Sequence, residues 1–490
     1  YNCAFGYAAL FANTTASYNS AFGHLSLAAN TTGTNAVAVG AFALDANTTG
    51  NNNTAVGYNA LSNETTGDNA TAIGFAAGFT NTTGTITALG SQALYSNVTG
   101  NNNTALGLSA LYANTADNNT AVGHAALTAN TTGTMNIAMG GFALDANTTG
   151  NWNSAFGYAA LGSNTTASYN CAFGYGTLFD NVSGTSNNAF GYEALNNNTA
   201  SANCAFGSYT LVANTTGANN TAVGHRALDA NTTGSGNVAV GSQSLGANTT
   251  ASNNTAVGYY AGSTLTTGDN SVAVGRYALK DCSTGSGNVA VGLNALETAT
   301  TGSNNVAVGT QALESLTTQN DTVAIGYQAL QSMTTGAGNC AVGHLAGHVL
   351  TTGNDNAIFG YYAGDVLTTG SNNTLVGSNA GGAMTGGYDN TFVGRVAGQS
   401  LTTGYQNTAI GKDCLKNMDG TTNNTGVGKG CMVNVSGGSA NTGCGEAAGY
   451  TVTTGAQNTF LGKATGGPTT ANRTIIIGAD LGDKGNTSNM

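Results

Sequence analysis

Proline occurs once, at Pro468, and charge is scarce: 6% of the 490 residues are charged, with Lys+Arg 10 against Asp+Glu 21. Nucleic-acid binding draws on clustered lysine and arginine that displace counterions, so this shortage excludes it. No apolar run approaches the roughly 18 residues of a membrane span, and no membrane insertion is expected. Low charge with 74 glycines is a composition met in disordered linkers. Here, however, Val, Ile, Phe or Leu returns on a fixed schedule and proline is nearly missing, so a linker is excluded.

Catalytic and metal chemistry is missing as well. Asp45, Asp145 and Asp229 share one slot of a repeat but lie several copies apart, and no carboxylate pair accompanies them. The calcium-binding β-roll signature, with Asp in each Gly-rich repeat, is not present. None of the Cys or His spacings matches a zinc site. No enzyme, cofactor or metal is expected. Of the eight cysteines, Cys3, Cys171, Cys204 and Cys340 stand three residues before a recurrent glycine and Cys444 replaces a valine, which reads as small core filling. Cys282 falls seven after its glycine. Only Cys414 and Cys431, in one slot of successive copies, come into consideration for a bridge.

What is present is one sentence, Asn-Thr-Ala-Val-Gly-Tyr-x-Ala-Leu-x-x-Asn-Thr-Thr-Gly-x-x, legible from Asn53 to Asn69 with Glu64 for the second asparagine. Anchored on the central glycine, it runs from Gly6, Gly23, Gly40 and Gly57 to Gly462 and Gly478, 29 copies spaced by 17 residues. Four steps (Gly74 to Gly90, Gly107 to Gly123, Gly191 to Gly207, Gly462 to Gly478) are 16, with the residue lost between the leucine slot and the next β segment. A period this strict means stacked, near-identical units.

Thr54-Ala55-Val56 is a β segment by residue type. Alternation places Thr54 and Val56 on one face and Ala55 on the other, and the larger residues are expected inward, as an interior column of Val39, Val56, Ile73, Val240, Val291 and Ile325. Val240→Asp is then expected to break the stack, and Tyr259→Ser to leave it intact. Glycine and the Asn-Thr-Thr-Gly block supply turns, so two β segments and two turns make one rung. The fold class is all-β: a parallel β-solenoid (β-roll) of about 29 coils with a 17-residue period, spanning residues 1–478, with residues 479–490 a polar extension. At about 4.8 Å per rung the array forms a rod of roughly 140 Å. Asn53, Asn103, Asn220, Asn254, Asn288, Asn356, Asn407 and Asn458 share the slot four before the glycine and are expected to form amide ladders.

Early copies carry Leu four after the glycine and Asn seven after it, as in Leu44 and Asn47 or Leu144 and Asn147. Later copies reverse this, as in Gly262 with Leu265, Gly347 with Leu350, Gly364 with Leu367, Gly398 with Leu401 and Gly449 with Val452. One interior volume is filled from either side, although Gly78 keeps Asn81 and Leu313 is joined by Leu316. The cross-section therefore changes near residue 255. The Ala55 face and the small residues around Ala60 remain uncovered on this reading, and three chains packing them around a three-fold axis would bury the stripe, so a homotrimer is expected.

The phrases Asn270-Ser271-Val272-Ala273-Val274-Gly275 and Thr322-Val323-Ala324-Ile325-Gly326 resemble the head repeats of YadA-like trimeric adhesins, and the Thr-Thr-Gly turns resemble phage tail-fibre repeats. The resemblance covers almost the whole chain. It implies a left-handed β-roll with three chains to a head, a non-enzymatic fibre or adhesin, and a location that is extracellular, on a cell surface or on a virion. The alternatives are a self-assembling, glycosylated extracellular filament built end to end and, more remotely, an ice-binding solenoid. Against the latter, adjacent threonines such as Thr48 and Thr49 are expected to point to opposite sides of a strand.

Two sets of surface residues are candidates for contact. The position after the glycine forms a stripe of Tyr7, His24, Tyr58, His124, Tyr158, Tyr175, Tyr192, His225, Tyr259, Tyr327, His344 and Tyr361, whose rings suit cell-surface glycans. Ladder packing alone also accounts for rings in a row, and Ser91, Arg276 and Lys412 interrupt the slot. Asn-x-Thr acceptors at Asn52, Asn102, Asn118, Asn219 and Asn253 are candidates for N-glycosylation. The acceptors at Asn13, Asn30, Asn47, Asn130, Asn164, Asn214 and Asn248 lie in the slot that later holds leucine, a poor place for a sugar.

Overall fold

The computed structural model describes residues 1–479, and in it the chain is an all-β parallel β-solenoid with one short strand per 17-residue rung. It divides into two compact units, Tyr1–Ser242 and Gln243–Met490. The first holds strands β1 (Cys3–Phe5) to β15 (Val238–Val240), the second β16 (Thr255–Val257) to β29 (Ile475–Ile477). All but the first residue of the extension expected at 479–490 lies outside the described residues. Within each unit every strand pairs in parallel with the next, like residue beside like: Thr54 with Thr71, Ala55 with Ala72, Val56 with Ile73. Such register follows from repetition, because any slip would move each alanine off its equivalent.

The orientation of the strands is opposite to the sequence expectation. Ala38, Ala55, Ala72 and Ala239 are fully buried, whereas Val39 and Ile73 are 37% and 39% exposed and Val56, Val240 and Val291 are half-buried. The interior is too narrow for valine. The wall opposite the strand supplies a buried leucine in most rungs, among them Leu44, Leu61 and Leu144, leaving room for only a methyl at the strand centre. Where the strand centre is large, the opposite leucine is gone. Ile358, Leu375, Phe392 and Phe460 are buried, and a methyl added at Gly398 would stand 2.4 Å from the Phe392 ring, one at Gly449 2.6 Å from Phe460. The volume trade is therefore between the leucine slot and the strand centre. At Gly78 the space is filled from another slot, by Ile86, which stands four before the next glycine and 2.8 Å from a methyl placed there. Val240→Asp accordingly places its charge at a half-solvated surface, and the earlier expectation for it falls.

The leucine segment is not a second β strand. Phe42 and Leu44 have φ of 57° and 51°, and the pattern recurs from rung to rung. Left-handed leucine is disfavoured by roughly 1–2 kcal/mol. Alternating the backbone hand, however, turns successive amides along the array: Phe42 N donates to the His24 carbonyl at 3.0 Å, and Leu44 N to the Ala60 carbonyl at 3.0 Å in the next rung. This side thus bonds between rungs without β geometry. The anchor glycine is fixed by close approach: Gly57 has φ +138°, and a methyl on it would stand 2.3 Å from the Gly74 carbonyl oxygen.

Two side-chain ladders complete the coil. Asn53 Nδ2 donates to the Gly67 carbonyl at 2.7 Å while its Oδ1 accepts from Ala70 N at 2.8 Å. From Asn339 to Asn458 the same slot in the second unit runs as a continuous amide column, with Asn373 Nδ2 donating to Asn356 Oδ1 at 3.0 Å and Asn458 to Asn441 at 2.9 Å. The slot seven after the glycine is buried with either kind of side chain: Asn47, Asn130 and Asn147 in the first unit, Leu265, Met333 and Leu350 in the second. Its amides also stack, Asn147 on Asn130 at 2.8 Å and Asn164 on Asn147 at 2.8 Å. In the 16-residue steps from Gly107 and Gly191 the turn after this slot shortens, so that Asn114 Nδ2 reaches the carbonyl of Ala116 and Asn198 that of Ala200, where Asn130 reaches that of Gly133.

The cysteines separate by face. Cys282, Cys414 and Cys431 are buried, Cys3 and Cys444 exposed, and Cys171, Cys204 and Cys340 half-buried on the outward side, so these last five are not core filling. Cys414 and Cys431 are adjacent free thiols. Each has a glycine at a facing strand centre, since a methyl on Gly426 or Gly443 would come within 2.6 Å of its sulfur.

Candidate functional site

All twelve residues of the expected Tyr/His stripe are exposed. They stand on the αL-rich side just beyond the anchor glycine, where a rung-to-rung step brings equivalent rings into contact. Tyr7 stacks on His24 at 5.3 Å, Tyr158 on Tyr175 at 5.6 Å, Tyr175 on Tyr192 at 5.3 Å, and Tyr327, His344 and Tyr361 form a stack at 5.2 Å per step. Phe42 and Phe75 bracket Tyr58, and Phe142 stands edge-on between His124 and Tyr158. His225 meets Tyr209 edge-on at 6.5 Å, and Tyr259 lies 5.8 Å from Tyr277. The stripe is therefore a set of separate stacks.

Further aromatic columns were not singled out from the sequence. Phe156, Phe173, Phe190 and Phe206 stack at 4.3 to 4.7 Å on the outward face of the strands. Phe79, Tyr95 and Tyr112 form another column, and Trp152 lies flat on Tyr169 at 5.0 Å. Reading the slot before the glycine from rung to rung would have found the first, had that slot been assigned outward.

That outward face has an unusual composition. Its two columns, one before and three before the glycine, carry no charged residue in any described rung, and the former is large and apolar almost throughout: Phe5, Phe22, Val39, Val56, Ile73, Leu89, Leu106 and onward. At roughly 60 Å² per rung, the fifteen rungs of the first unit expose on the order of 900 Å², against about 800 Å² per partner in a specific interface.

The five candidate glycosylation asparagines lie in the opposite turn, exposed, each with φ between 59° and 62°. Asn52 Nδ2 donates to Asn69 Oδ1 and Asn102 Nδ2 to Asn118 Oδ1, both at 3.2 Å. By contrast Asn30, Asn47, Asn130, Asn164, Asn214 and Asn248 are buried in the coil.

The electrostatics are concentrated at a few half-buried acids and one buried one. Burial pushes the Asp45, Asp145 and Asp229 carboxyls up, partly opposed at Asp45 by the Ser62 hydroxyl 2.7 Å away. Glu64 is the stronger case. It replaces an asparagine of the inner ladder, is fully buried, and burial lifts it from 4.5 to about 7 against hydrogen bonds from Asn81 and the Gly67 amide. One rung away in the same column, Asn47 Oδ1 is buried without a partner, the place where a protonated Glu64 hydroxyl would donate. Among the described residues no three His, Cys, Asp or Glu side chains come together as a metal site.

No known protein family and no curated protein matches this sequence. Fold and surface define the class: a β-solenoid repeat protein with aromatic stacks and an uncharged apolar sheet face on its exterior.

Proposed function

We propose that this chain is a non-enzymatic structural element of an extracellular fibre, the rigid shaft or head of a phage tail fibre or bacterial surface adhesin, assembled as a homotrimer on a virion or cell surface. The observation that carries this reading is the outward sheet face, large, apolar and uncharged rung after rung. A contiguous patch of that size on a soluble protein marks an interaction surface. A partner that covers it must repeat at the rung spacing, as another copy of this chain does. The small-residue stripe around Ala55 and Ala60 is buried inside the coil, so the trimer contact moves to the Val/Phe face. Mechanical stiffness comes from the ladders. The exposed rings supply weak contacts to cell-surface glycans, multiplied by repetition, and Asn52, Asn102, Asn118, Asn219 and Asn253 are positioned to carry glycans.

An ice-binding role finds less support, because the threonine hydroxyls of the turn are engaged: Thr31 Oγ1 donates to the Thr48 carbonyl at 2.9 Å and Thr48 Oγ1 to that of Thr65 at 3.0 Å. Sedimentation equilibrium with electron microscopy of the same sample tests the proposal. Discrete particles of three chains are expected, dissociated by Val→Lys changes at Val39, Val56 and Val122. Monomers that stay dispersed at high concentration would overturn it, and indefinite filaments would replace the trimer with the end-to-end assembly.

A further inference from the structure

Beside the aromatic stripe the first unit has a notch of about 610 Å³, within the size range of small-molecule sites. It exists because small residues fall together in slots that are large elsewhere. Five after the anchor glycine, other rungs carry Phe11, Phe79, Tyr95, Tyr112 or Phe179, but this rung carries Gly162. Two after it, where Phe42, Phe142 and Tyr209 stand elsewhere, the floor has Ala159 and Gly176. Along the notch run the rings of Tyr158 and Tyr175, 9° from parallel. Asp145 stands in the rung at one end and Glu193 in the rung at the other, three rungs apart, or about 14 Å.

The polar rim is rich in acceptors. Asn196 Nδ2 is taken up by the Gly176 carbonyl at 2.7 Å, which turns its role at the notch to the acceptor Oδ1. Asp145 and Glu193 accept, and neither has a cationic partner within ion-pair distance among the described residues. The one Lys or Arg before residue 243 is Arg226, two rungs beyond Glu193. A ligand here must donate hydrogen bonds, lie against the edges of two stacked rings and carry no negative charge. Tyr158, Tyr175 and Ser163 add hydroxyls that both give and take, which a sugar's hydroxyls match fully and an ammonium group, all donor, only in part.

The geometry points to a binding site for a short non-acidic oligosaccharide lying along the exposed edges of the Tyr158 and Tyr175 rings, its hydroxyls donating to Asp145, Glu193 and Asn196 and exchanging hydrogen bonds with the tyrosine hydroxyls. This deepens the reading of the stripe as a glycan-contact surface and rests on it, while the fibre assembly stands apart from it. Recognition is local to this notch, with the remaining stacks secondary.

Saturation-transfer NMR on the full chain tests the site, using lactose, chitobiose and methyl β-glucoside as neutral probes, N-acetylneuraminic acid and glucuronic acid as acidic ones, and a Lys-Arg peptide as the cationic one. A neutral probe is expected to bind, the acidic probes at least tenfold more weakly. Gly162→Tyr plugs the notch with a residue that this slot holds at Tyr95 and Tyr112, the 38% exposed Phe179 ring moving aside. It is expected to weaken binding at least tenfold with the melting temperature unchanged, whereas the distant Tyr405→Ser leaves both as they were. Neutral-sugar binding that survives Gly162→Tyr but is lost in Tyr327→Ser would overturn the notch and keep the stripe. Binding of no sugar by any variant would remove both. Preference for the acidic probes or the peptide would overturn the ligand class.

Discussion

The first unit carries asparagine, Glu64 apart, where most rungs of the second carry leucine, methionine or valine, on the same backbone and at the same depth. Asn130, Asn147 and Asn164 are as fully buried as Leu350, Leu367 and Leu401. The difference lies in what each column demands of its neighbours. A buried amide is tolerated because the rung below accepts from it and its own turn carbonyl takes the second hydrogen. Any residue that cannot continue the ladder leaves a fault, as Glu64 does beside Asn47. An apolar column demands only volume, and in the second unit size moves freely between wall and strand: Phe392 with Gly398, Phe460 with Gly449, Cys414 and Cys431 against Gly426 and Gly443. The second unit also holds all the ion pairs among the described residues, such as Lys280 with Glu297 at 3.3 Å, whereas the first has Arg226 as its one Lys or Arg. Polar columns fix register, and apolar columns permit variation.

The largest effect is expected where volume is conserved across the wall. Phe392→Ala should lower the stability of the second unit by about 3–5 kcal/mol, and adding Gly398→Leu, which recreates the alanine and leucine pairing of the first unit, should restore most of it. Urea denaturation of the single and double variants measures this coupling, and additive losses would break the compensation rule.

The next effect distinguishes the polar column. Glu64 is raised from 4.5 to about 7 in the fold, so the folded chain holds a proton that the unfolded chain has released. Its contribution is present in full below 4.5 and is lost as pH rises from 4.5 to about 7, a span corresponding to about 3 kcal/mol. Glu64→Asn, which repairs the ladder, should remove that dependence in chemical unfolding measured from pH 4 to pH 8. A smaller effect is expected from Asn147→Leu, about 2 kcal/mol, because it strands Asn130 Oδ1, takes the acceptor from Asn164 Nδ2 and so opens two steps of the ladder. The same change of character made the other way, Leu350→Asn, should be worse, since no amide neighbour is there to receive it.

Much of this was legible from sequence, for one reason: a repeat reports each slot many times. The rung, the parallel stacking, the anchor glycine, the turn asparagines and the interior seventh slot all follow from residues that recur. The face of the strand did not. Thr-Ala-Val alternates correctly, but alternation alone leaves the sign open, and the usual rule that larger residues lie inside fails in a coil this thin. The deciding signal was the set of exceptions, Ile358, Leu375, Phe392 and Phe460, which appear at the alanine position when the leucine slot is glycine or lies beside one. Left-handed Leu44 was hidden because leucine carries no mark of positive φ. The notch needed three small residues, Ala159, Gly162 and Gly176, to be seen as neighbours across two rungs.

The orientation of the strands underlies the proposed interface, and the native cysteines report on it directly. Folded protein carrying the dissociating Val39→Lys, Val56→Lys and Val122→Lys changes, checked by native mass spectrometry to be single chains, is labelled with a water-soluble maleimide and mapped by peptide mass spectrometry. Cys3, Cys171, Cys204, Cys340 and Cys444 should react in the native chain, while Cys282, Cys414 and Cys431 react only after unfolding. Protection of Cys171, Cys204 and Cys340 in the native single chains would place the valine side of the strand inside and alanine out, and would contradict the account.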